Sequence, residues 1–399
     1  MKQKILKITS ITILIVLSIL TFLEVYKFIR VRTANIEVIL KEDRTIDFAS
    51  KKKVSDFIES INGKIIDDYV IDSTTNLGKK EISFKFINDD GIKLTYNYDI
   101  EIVDRVPPTI WLNKTYSVPV GSKSNLLDEI MCGDNIDDEP KCYIEGTYNR
   151  DKVGTYPLVF NAIDSSGNKT IKKFNLKVYE PKKSNTQTKT TPIYFEEILK
   201  TYKMYNNRIG IDVSKWQEDI DFEKVKQVGV EFVMIRVGTT NSKTNEFVLD
   251  PKFKQNIENA KKAGLDVGVY FYSYANTRKR AREEAKWVID QIKDYNITLP
   301  VVFDWEDWND FNHHKVSFFE LTKVAEEFLR TIEKKGYTGM LYSSKTYLEN
   351  IWFETKYDVW LAHYTKNTDY KGKYKMWQVT NKGKVDGINT LVDINILYY

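Results

Sequence analysis

Two carboxylates stand two residues apart at the end of a strongly apolar segment. The segment reads VVFDWEDW, and it places Asp304 and Glu306 on either side of a tryptophan. Side chains two apart in a β-strand point to the same face, so both carboxyls would enter one pocket, roughly 6 to 7 Å apart along the strand. Two carboxyls in a partly apolar site raise each other's proton affinity, and one can then act as a general acid near neutral pH while the other stays anionic. The pair predicts acid-catalysed cleavage of a bond such as a glycosidic link.

Two further carboxylates are predicted to join this pair. Asp212 follows the first strand of the same region in IGIDVSKWQ, and Asp393 sits in the last strand in LVDIN. The first and last strands of a closed barrel are neighbours, and the carboxyl ends of its strands form the site face. A structural salt bridge, or a calcium or magnesium site made only of oxygens, is the alternative to a catalytic cluster. We expect the catalytic cluster and no metal.

Aromatic side chains crowd the same strand ends and suit the flat faces of sugars. Any one of them could instead belong to the core, because large rings dominate packing in a barrel. Tyr270 and Trp360 are the strongest candidates for contact with a substrate. The full predicted binding set is Tyr270, Tyr272, Trp305, Trp360, Tyr364, Trp377 and Gln378.

The elements that position these residues follow a βα rhythm from about residue 208 to residue 399. Eight apolar runs are strand candidates: RIGIDVS, EFVMIRVG, DVGVYFYSY, LPVVFDWE, GMLYSS, YDVWLAHY, YKMWQVT and LVDINILYY. Four amphipathic helices separate the earlier runs, whereas the last runs follow one another closely. The pattern predicts an α/β domain that is an incomplete or flattened (β/α) barrel of the TIM type.

The preceding residues predict two all-β modules. Residues 34–103 and 104–179 contain alternating segments such as KEISFKF and TIKKFNLKV, which are typical of antiparallel strands. A polar stretch, PKKSNTQTKTTP, indicates a linker at residues 180–207. We expect the modules to act as a stalk, with ligand or partner binding as the alternative.

The N-terminal residues 1–33 predict a membrane anchor. Basic residues flank an apolar run from Ile8 to Leu23, and no small-residue cleavage site follows it, which favours an uncleaved signal anchor. Cys132 and Cys142 lie ten positions apart in a loop-like segment and are candidates for a disulfide, which suits an oxidising compartment. Two free thiols in a reducing cytoplasm are the alternative.

Composition excludes several function classes. The chain has 399 residues, with 60 basic and 56 acidic residues that leave a net charge of +4, too balanced to predict nucleic-acid binding. Three histidines and two cysteines cannot build the usual His/Cys metal cages. Carboxylates must therefore carry most of the chemistry.

The C-terminal region resembles glycoside hydrolase family 25, the lysozymes of the N-acetylmuramidase type. The resemblance rests on GIDVSKWQ, GVYFYSYA, PVVFDWED, VWLAHY, MWQVTNKGKVDGI and VDIN, taken in order. It implies that Glu306 is the general acid, and that Asp304 is the nucleophile or orients the substrate acetamido group. It also implies that Asp212 and Asp393 tune proton affinities, that no cofactor is needed, and that peptidoglycan glycan strands are the substrate. Phe271 replaces the histidine that many relatives carry after the strand-three tyrosine.

The second β module resembles bacterial immunoglobulin-like modules through its PPTI opening, GDN turn, VGTY strand and DSSGN hairpin. Such modules imply an extracytoplasmic, cell-wall side location behind a single membrane pass, with surface or secretion-complex proteins as partners. The alternative function is a non-catalytic scaffold that binds the cell wall. The presence of all four candidate carboxylates argues against that alternative, because a protein that no longer needs turnover would be expected to have lost at least one of them. The four are Asp212, Asp304, Glu306 and Asp393.

Overall fold

The computed structural model describes residues 2–181 and 191–399. The chain divides into two compact units, Met1–Arg105 and Val106–Tyr399. Most of the polar stretch that predicted a linker, residues 182–190, lies outside the described residues. The second β module and the C-terminal domain, which the sequence predicts as separate domains, lie in one compact unit.

The first unit begins with a long helix, α1, Lys2–Arg32. Its part from Thr12 to Arg32 has a mean hydropathy of 2.0, and none of it is buried inside the protein. Its length and composition suffice to cross a membrane, a property that a signal sequence shares. The membrane anchor therefore stays a prediction.

Six strands complete the first unit. They are β1 (Val38–Leu40), β2 (Thr45–Asp47), β3 (Ile58–Ile61), β4 (Gly63–Ile65), β5 (Gly78–Asn88) and β6 (Lys93–Val103). The long hairpin of β5 and β6 is antiparallel, and buried and exposed residues alternate along it. Its buried face packs in a core that includes Phe57, Phe84 and Phe86. Period-two alternation predicted these strands correctly.

The second β module opens the second unit. Its elements are β7 (Thr109–Ile110), β8 (Thr115–Pro119), α2 (Leu126–Glu129), β9 (Cys132–Gly133), β10 (Lys141–Glu145), β11 (Gly154–Ile163) and β12 (Lys169–Tyr179). A four-stranded sheet has the order β10-β11-β12-β8, and β7 pairs with β9. Cys132 and Cys142 form a disulfide that joins β9 to β10.

The C-terminal domain contains eight strands that close into a barrel. Its strands are β13 (Ile193–Tyr194), β14 (Asn207–Val213), β15 (Phe232–Thr240), β16 (Phe247–Leu249), β17 (Asp266–Ser273), β18 (Val301–Trp305), β19 (Gly339–Ser344), β20 (Asp358–Ala362), β21 (Met376–Lys384) and β22 (Val392–Tyr398). Closure runs β14-β15-β17-β18-β19-β20-β21-β22 and back to β14. Among these eight barrel strands only β22 pairs antiparallel, with β21 and with β14, and β16 pairs antiparallel with β15 outside the closed ring.

The sheet thus differs from the expected incomplete or flattened barrel. Adjacent strands pair all the way round, because the antiparallel β22 fills the gap between β21 and β14. The outer helical layer is the incomplete part, since no described helix follows β20 or β21. The helices of this domain are α3 (Phe195–Tyr202), α4 (Phe222–Gln227), α5 (Phe253–Lys262), α6 (Arg278–Ile292), α7 (Phe311–His314), α8 (Phe318–Glu333) and α9 (Lys345–Asn350).

Residues 193–202 lie within the predicted linker, yet they pack on the barrel. β13 pairs with β21, and Phe195 and Ile198 of α3 are buried in the same core as the barrel helices. The apolar spacing of FEEILKTY gives α3 one apolar face, which the barrel covers.

Period-two alternation divides the barrel residues between two cores. One cluster fills the barrel interior and includes Phe232, Met234, Val302 and Met376, whereas the larger cluster lies between the strands and the outer helices. Inward positions nearer the carboxyl ends of the same strands are polar. The barrel interior is therefore closed by packed apolar side chains, and above them lies an open, polar pocket. The candidate residues lie at the strand ends that line this pocket.

Candidate active site

A pocket opens at the carboxyl ends of the barrel strands, where the predicted carboxylates meet. Its volume is about 340 Å³. Its lining residues are Asp212, Ser214, Trp216, Gln217, Arg236, Tyr270, Tyr272, Asp304, Glu306, Tyr342, Trp360, Tyr364, Gln378, Asn381 and Asp393. The four carboxylates that the sequence selected all lie in this lining, as do five of the seven predicted binding residues.

Asp212 is held by a network of amides and hydroxyls. Its Oδ2 accepts hydrogen bonds from Nε2 of Gln378 at 2.9 Å and from Nδ2 of Asn395 at 2.8 Å. The Gln378 carbonyl oxygen in turn accepts from the hydroxyls of Tyr342 and Tyr364, at 2.9 and 2.8 Å. These hydroxyls fix the orientation of the Gln378 amide, and the indole N–H of Trp360, which donates to Oδ1 of Asn395, fixes that of the Asn395 amide. Asp212 therefore acts as an acceptor toward both amides.

Asp393 lies directly opposite Asp212 in the antiparallel pairing of β22 with β14. Burial raises the pKa of both carboxyls, and the negative charge of Asp212 raises the pKa of Asp393 further. The amide donors around Asp212 favour its ionised form. The pair therefore shares a proton that resides mainly on Asp393.

Asp304 is buried at the end of β18, with 4% of its surface exposed. Its Oδ1 has no hydrogen-bond partner among the described residues. Burial raises the pKa of Asp304 well above its ordinary value, the charges of Glu306 and Asp212 raise it further, and Arg236 opposes them. A buried, unpartnered carboxylate oxygen on the pocket wall is costly, and a donor from a bound molecule would satisfy it.

Glu306 lies one residue beyond the end of β18 and reaches solvent through the pocket opening. The pocket walls still remove much of its hydration, and this desolvation, with the charge of Asp212, raises the pKa of Glu306 to about 7. A carboxyl with that pKa is protonated in half of the molecules at neutral pH and can exchange its proton through the opening. The geometry therefore places a carboxyl that can lose and regain a proton near neutral pH beside a buried carboxyl.

The comparisons agree with this chemistry. Residues 211–388 match the family described as "Glycosyl hydrolases family 25". We call the barrel domain that contains this match the family 25 domain. The matched segment includes Asp212, Asp304 and Glu306 but ends before Asp393, which lies in β22.

Known proteins resemble this part of the chain at modest identity. The YegX protein of Escherichia coli strain K12 is 29% identical over 192 residues, which cover 47% of this chain and 68% of YegX. The autolytic lysozyme of Clostridium acetobutylicum is 25% identical over 189 residues, which cover 47% of this chain and 54% of that protein. The solved modular autolysin LytC from Streptococcus pneumoniae, in complex with a synthetic peptidoglycan ligand, aligns with a TM-score of 0.44 and 23% identity. That alignment covers 60% of this chain and 56% of LytC.

Two predicted binding residues of the family 25 domain lie away from the pocket. Trp305 is fully buried, and its indole N–H donates to the carbonyl of Ala275 at 3.1 Å. Trp377 is also buried, and its indole N–H donates to the carbonyl of His363 at 2.9 Å. Strand alternation explains both: Trp305 faces away from Asp304 and Glu306, and Trp377 faces away from Gln378. The expectation that these two rings line the binding site is therefore wrong.

Several pocket or supporting residues of the family 25 domain were missed from the sequence, and Arg236, Tyr342 and Asn395 are among them. Arg236 faces the pocket and pairs with Asp250, with its Nη2 2.7 Å from Oδ2 of that carboxylate. Tyr342 donates to Gln378, and Asn395 accepts from the indole of Trp360 at 2.8 Å. A charge inside the apolar run EFVMIRVG was the one available signal for Arg236.

A second cavity adjoins the pocket of the family 25 domain. It has a volume of about 650 Å³ and shares Tyr364 and Asn381 with the pocket lining. Glu197, Thr201 and Tyr202 of α3 form its other wall. Residues upstream of the family match therefore extend the open surface beside the site.

Proposed function

We propose that this chain is a peptidoglycan hydrolase of the N-acetylmuramidase type, which cleaves the β-1,4 bond between N-acetylmuramic acid and N-acetylglucosamine. The observation that carries the proposal is the buried Asp304, with a free Oδ1, beside the solvent-reaching Glu306 in a four-carboxylate pocket. The family 25 match at residues 211–388 supports a glycoside hydrolase. The autolytic lysozyme among its relatives supports a bacterial cell wall as the source of the substrate.

Glu306 is assigned as the general acid, which protonates the leaving glycosidic oxygen. Its position at the pocket opening and its pKa of about 7 support this role. The charge of Glu306 raises the pKa of Asp304, so an ionised Glu306 favours a proton on Asp304. A substrate acetamido N–H donated to Oδ1 of Asp304 would favour the Asp304 anion and leave the proton on Glu306.

Asp304 then acts in one of two ways, and both retain the configuration of the anomeric carbon. It attacks that carbon as a nucleophile, or it orients the acetamido oxygen, which attacks instead. Asp212 and Asp393 hold a shared proton beside the pair. Their net negative charge stabilises the positive charge that develops on the sugar ring in the transition state.

The protein is proposed to work on the outer face of a membrane. α1 is long and apolar enough to be a single-pass anchor, and the disulfide between Cys132 and Cys142 suits an oxidising compartment. The enzyme would therefore cut glycan strands within reach of its anchor.

The decisive experiment compares three full-length proteins in detergent micelles on purified peptidoglycan: the wild type, Glu306→Gln and Asp290→Asn. Asp290 is an exposed carboxylate on α6 and serves as the matched control. We expect the wild type and the control to release fragments with muramic acid at the reducing end, as identified by mass spectrometry. Glu306→Gln should be slower by about a hundredfold to ten-thousandfold with unchanged circular dichroism, because it removes general acid catalysis.

A second candidate function is a scaffold that binds the cell wall without cleaving it. Release of no fragments by a folded wild type would favour this candidate, whereas equal release of fragments by the wild type and Glu306→Gln would contradict the role assigned to Glu306. Fragments ending in N-acetylglucosamine would contradict the assigned bond while keeping the glycosidase.

A further inference from the structure

The second β module contacts the family 25 domain next to the general acid. We call residues 306–317 the acid loop, because they follow β18 and begin at Glu306. We call residues 126–138 the docking segment, which runs from α2 through β9 of the second β module. The two segments meet through main-chain and side-chain hydrogen bonds within one compact unit. The module is therefore more than a spacer.

Asn312 lies in α7 of the acid loop, and both the nitrogen and the oxygen of its side-chain amide form hydrogen bonds with the docking segment. Its Nδ2 donates to the carbonyls of Leu127 at 2.7 Å and Ile130 at 2.9 Å, and its Oδ1 accepts from the amide of Cys132 at 2.8 Å. Three contacts of this kind satisfy main-chain groups at the end of α2 and at the start of β9. Each contact would leave a partner unsatisfied if the segments separated.

The start of α8, just after the acid loop, is also hydrogen-bonded to the docking segment. The amides of Phe318 and Phe319 donate to the carbonyls of Asp134 and Asn135, at 2.9 and 3.0 Å. The amide of Ser317 donates to Oδ1 of Asp138 at 2.8 Å. The first amides of a helix have no partner inside the helix, so the docking segment supplies acceptors that α8 lacks.

Aromatic rings continue the contact from the module to β18. Trp111 of the module packs on Tyr347 with centroids 5.3 Å apart, and Tyr347 stacks on Trp308 at 3.9 Å. Trp308 meets Trp305 at 4.6 Å, and Trp305 stands between Asp304 and Glu306 in the chain. The module is thus joined by continuous packing to the strand end that carries both reacting carboxyls.

The fit at the centre of this interface is tight. A Cβ placed on Gly133 would lie 2.7 Å from ring atoms of both Phe311 and Phe318. The disulfide ties β9, which contains Gly133, to β10 of the module sheet. A glycine at this position lets the docking segment approach the acid loop closely, and the disulfide keeps it there.

We propose that the second β module is a positioning element of the catalytic site, which holds the acid loop through Asn312 and the Gly133 contact so that Glu306 keeps its place beside Asp304. This inference rests on the proposed function. Asn312 and Gly133 touch no substrate in this proposal and act through the loop, because both lie outside the pocket lining. The module thereby becomes part of the enzyme and not only a stalk.

The test uses the full-length protein in detergent micelles with three substitutions. Asn312→Ala removes the hydrogen bonds of the Asn312 side chain. Gly133→Val keeps the groups that form these bonds but places a side chain against the rings of Phe311 and Phe318. Glu139→Gln is the control, because Glu139 forms an exposed ion pair with Lys315 at the rim of the same interface. Steady-state kinetics are measured on uncross-linked glycan strands released from purified cell walls, and hydrogen exchange is followed by mass spectrometry on the same samples.

We expect Asn312→Ala and Gly133→Val each to lower kcat at least tenfold per folded molecule, with KM within about threefold of the wild type. Exchange should accelerate in peptides covering residues 306–319 but stay unchanged in β15, which would separate loosening of the loop from general unfolding. Glu139→Gln should change neither quantity. Faster exchange with an unchanged kcat would overturn the inference, and so would unchanged exchange in both variants. A wild type that releases no glycan fragments would instead refute the proposed function.

Discussion

At the scale of single residues, the site depends on carboxyls whose environments differ. Asp304 is buried without a partner for Oδ1, Asp212 is surrounded by amide donors, and Glu306 reaches solvent. These differences divide the protons among chemically similar groups. Glu306 is the group whose proton can leave through the pocket opening, so its titration should set the upper limit of the working pH range.

The pH dependence of hydrolysis follows from the pKa of Glu306. The form with Glu306 protonated and Asp304 ionised is active, so kcat/KM should fall by up to tenfold per pH unit above the Glu306 pKa of about 7. The measurement is the initial rate on soluble glycan strands from pH 5 to pH 9. Glu306→Gln should lose this alkaline limb along with most of its activity. A wild-type rate that already falls tenfold per pH unit from pH 5 upward, or that stays level to pH 9, would contradict the assignment.

Residue types and spacing predicted the carboxylates but only part of their surroundings. Asp304 and Glu306 share a face because they lie two apart, and the same rule should have excluded Trp305 from that face. Arg236, Tyr342 and the amide network around Asp212 depend on how separate strands align across the barrel. That alignment is a long-range property, and one segment of sequence does not contain it.

At the scale of elements, the strands were easier to predict than their closure. Eight apolar runs marked the eight barrel strands, and four amphipathic segments marked α4, α5, α6 and α8. The short elements β16 and α9 lack enough turns or alternations to give a pattern. The sequence brought the first and last strands together but did not predict that β22 runs antiparallel to both of its neighbours, because strand direction depends on pairing between distant parts of the domain.

One buried acid couples two strands to a helix and gives a prediction at this scale. Glu284 of α6 is fully buried and accepts hydrogen bonds from the hydroxyls of Ser273 in β17 and Thr240 in β15, at 2.5 and 2.7 Å. Burial raises its pKa to about 7 from an ordinary value of 4.5. The folded protein therefore binds this proton more tightly than the unfolded chain does. The stabilising effect is complete below pH 4.5 and is lost as pH rises to about 7.

Glu284→Gln should consequently be more stable than the wild type at alkaline pH. The neutral amide avoids the cost of a buried charge, which is on the order of 3 kcal/mol for this shift. The thermal midpoint at pH 8 should rise by on the order of 5 °C, and the difference should shrink at pH 5. Circular dichroism melts at both pH values measure it, with the more exposed Glu283→Gln on the same helix as control. A variant that is less stable than the wild type at pH 8 would show that Glu284 works as an ion.

At the scale of the whole molecule, the two β modules have different relations to the catalytic domain. The second belongs to the same compact unit as the barrel, whereas residues 34–103 belong to the unit that begins with α1. The sequence predicted two similar modules and a linker, because alternation and turn residues describe a module but not what it packs against. Each module has a core of its own, but Met131 of the second module is also buried in the core that lies between the barrel strands and the outer helices.

Two internal deletions should therefore have opposite effects on hydrolysis of soluble glycan strands. Removal of residues 34–103 leaves the second unit whole, so kcat should stay within about twofold of the wild type. Removal of residues 34–179 also takes away the docking segment, the acceptors for the start of α8 and the Trp111 contact, and activity per folded molecule should fall at least tenfold. Both proteins keep α1, so they can be compared in the same micelles, with circular dichroism to measure the folded fraction. Equal activity of the two deletions would return the second module to the role of a stalk, whereas a loss confined to the longer deletion would show that the working enzyme begins near residue 104.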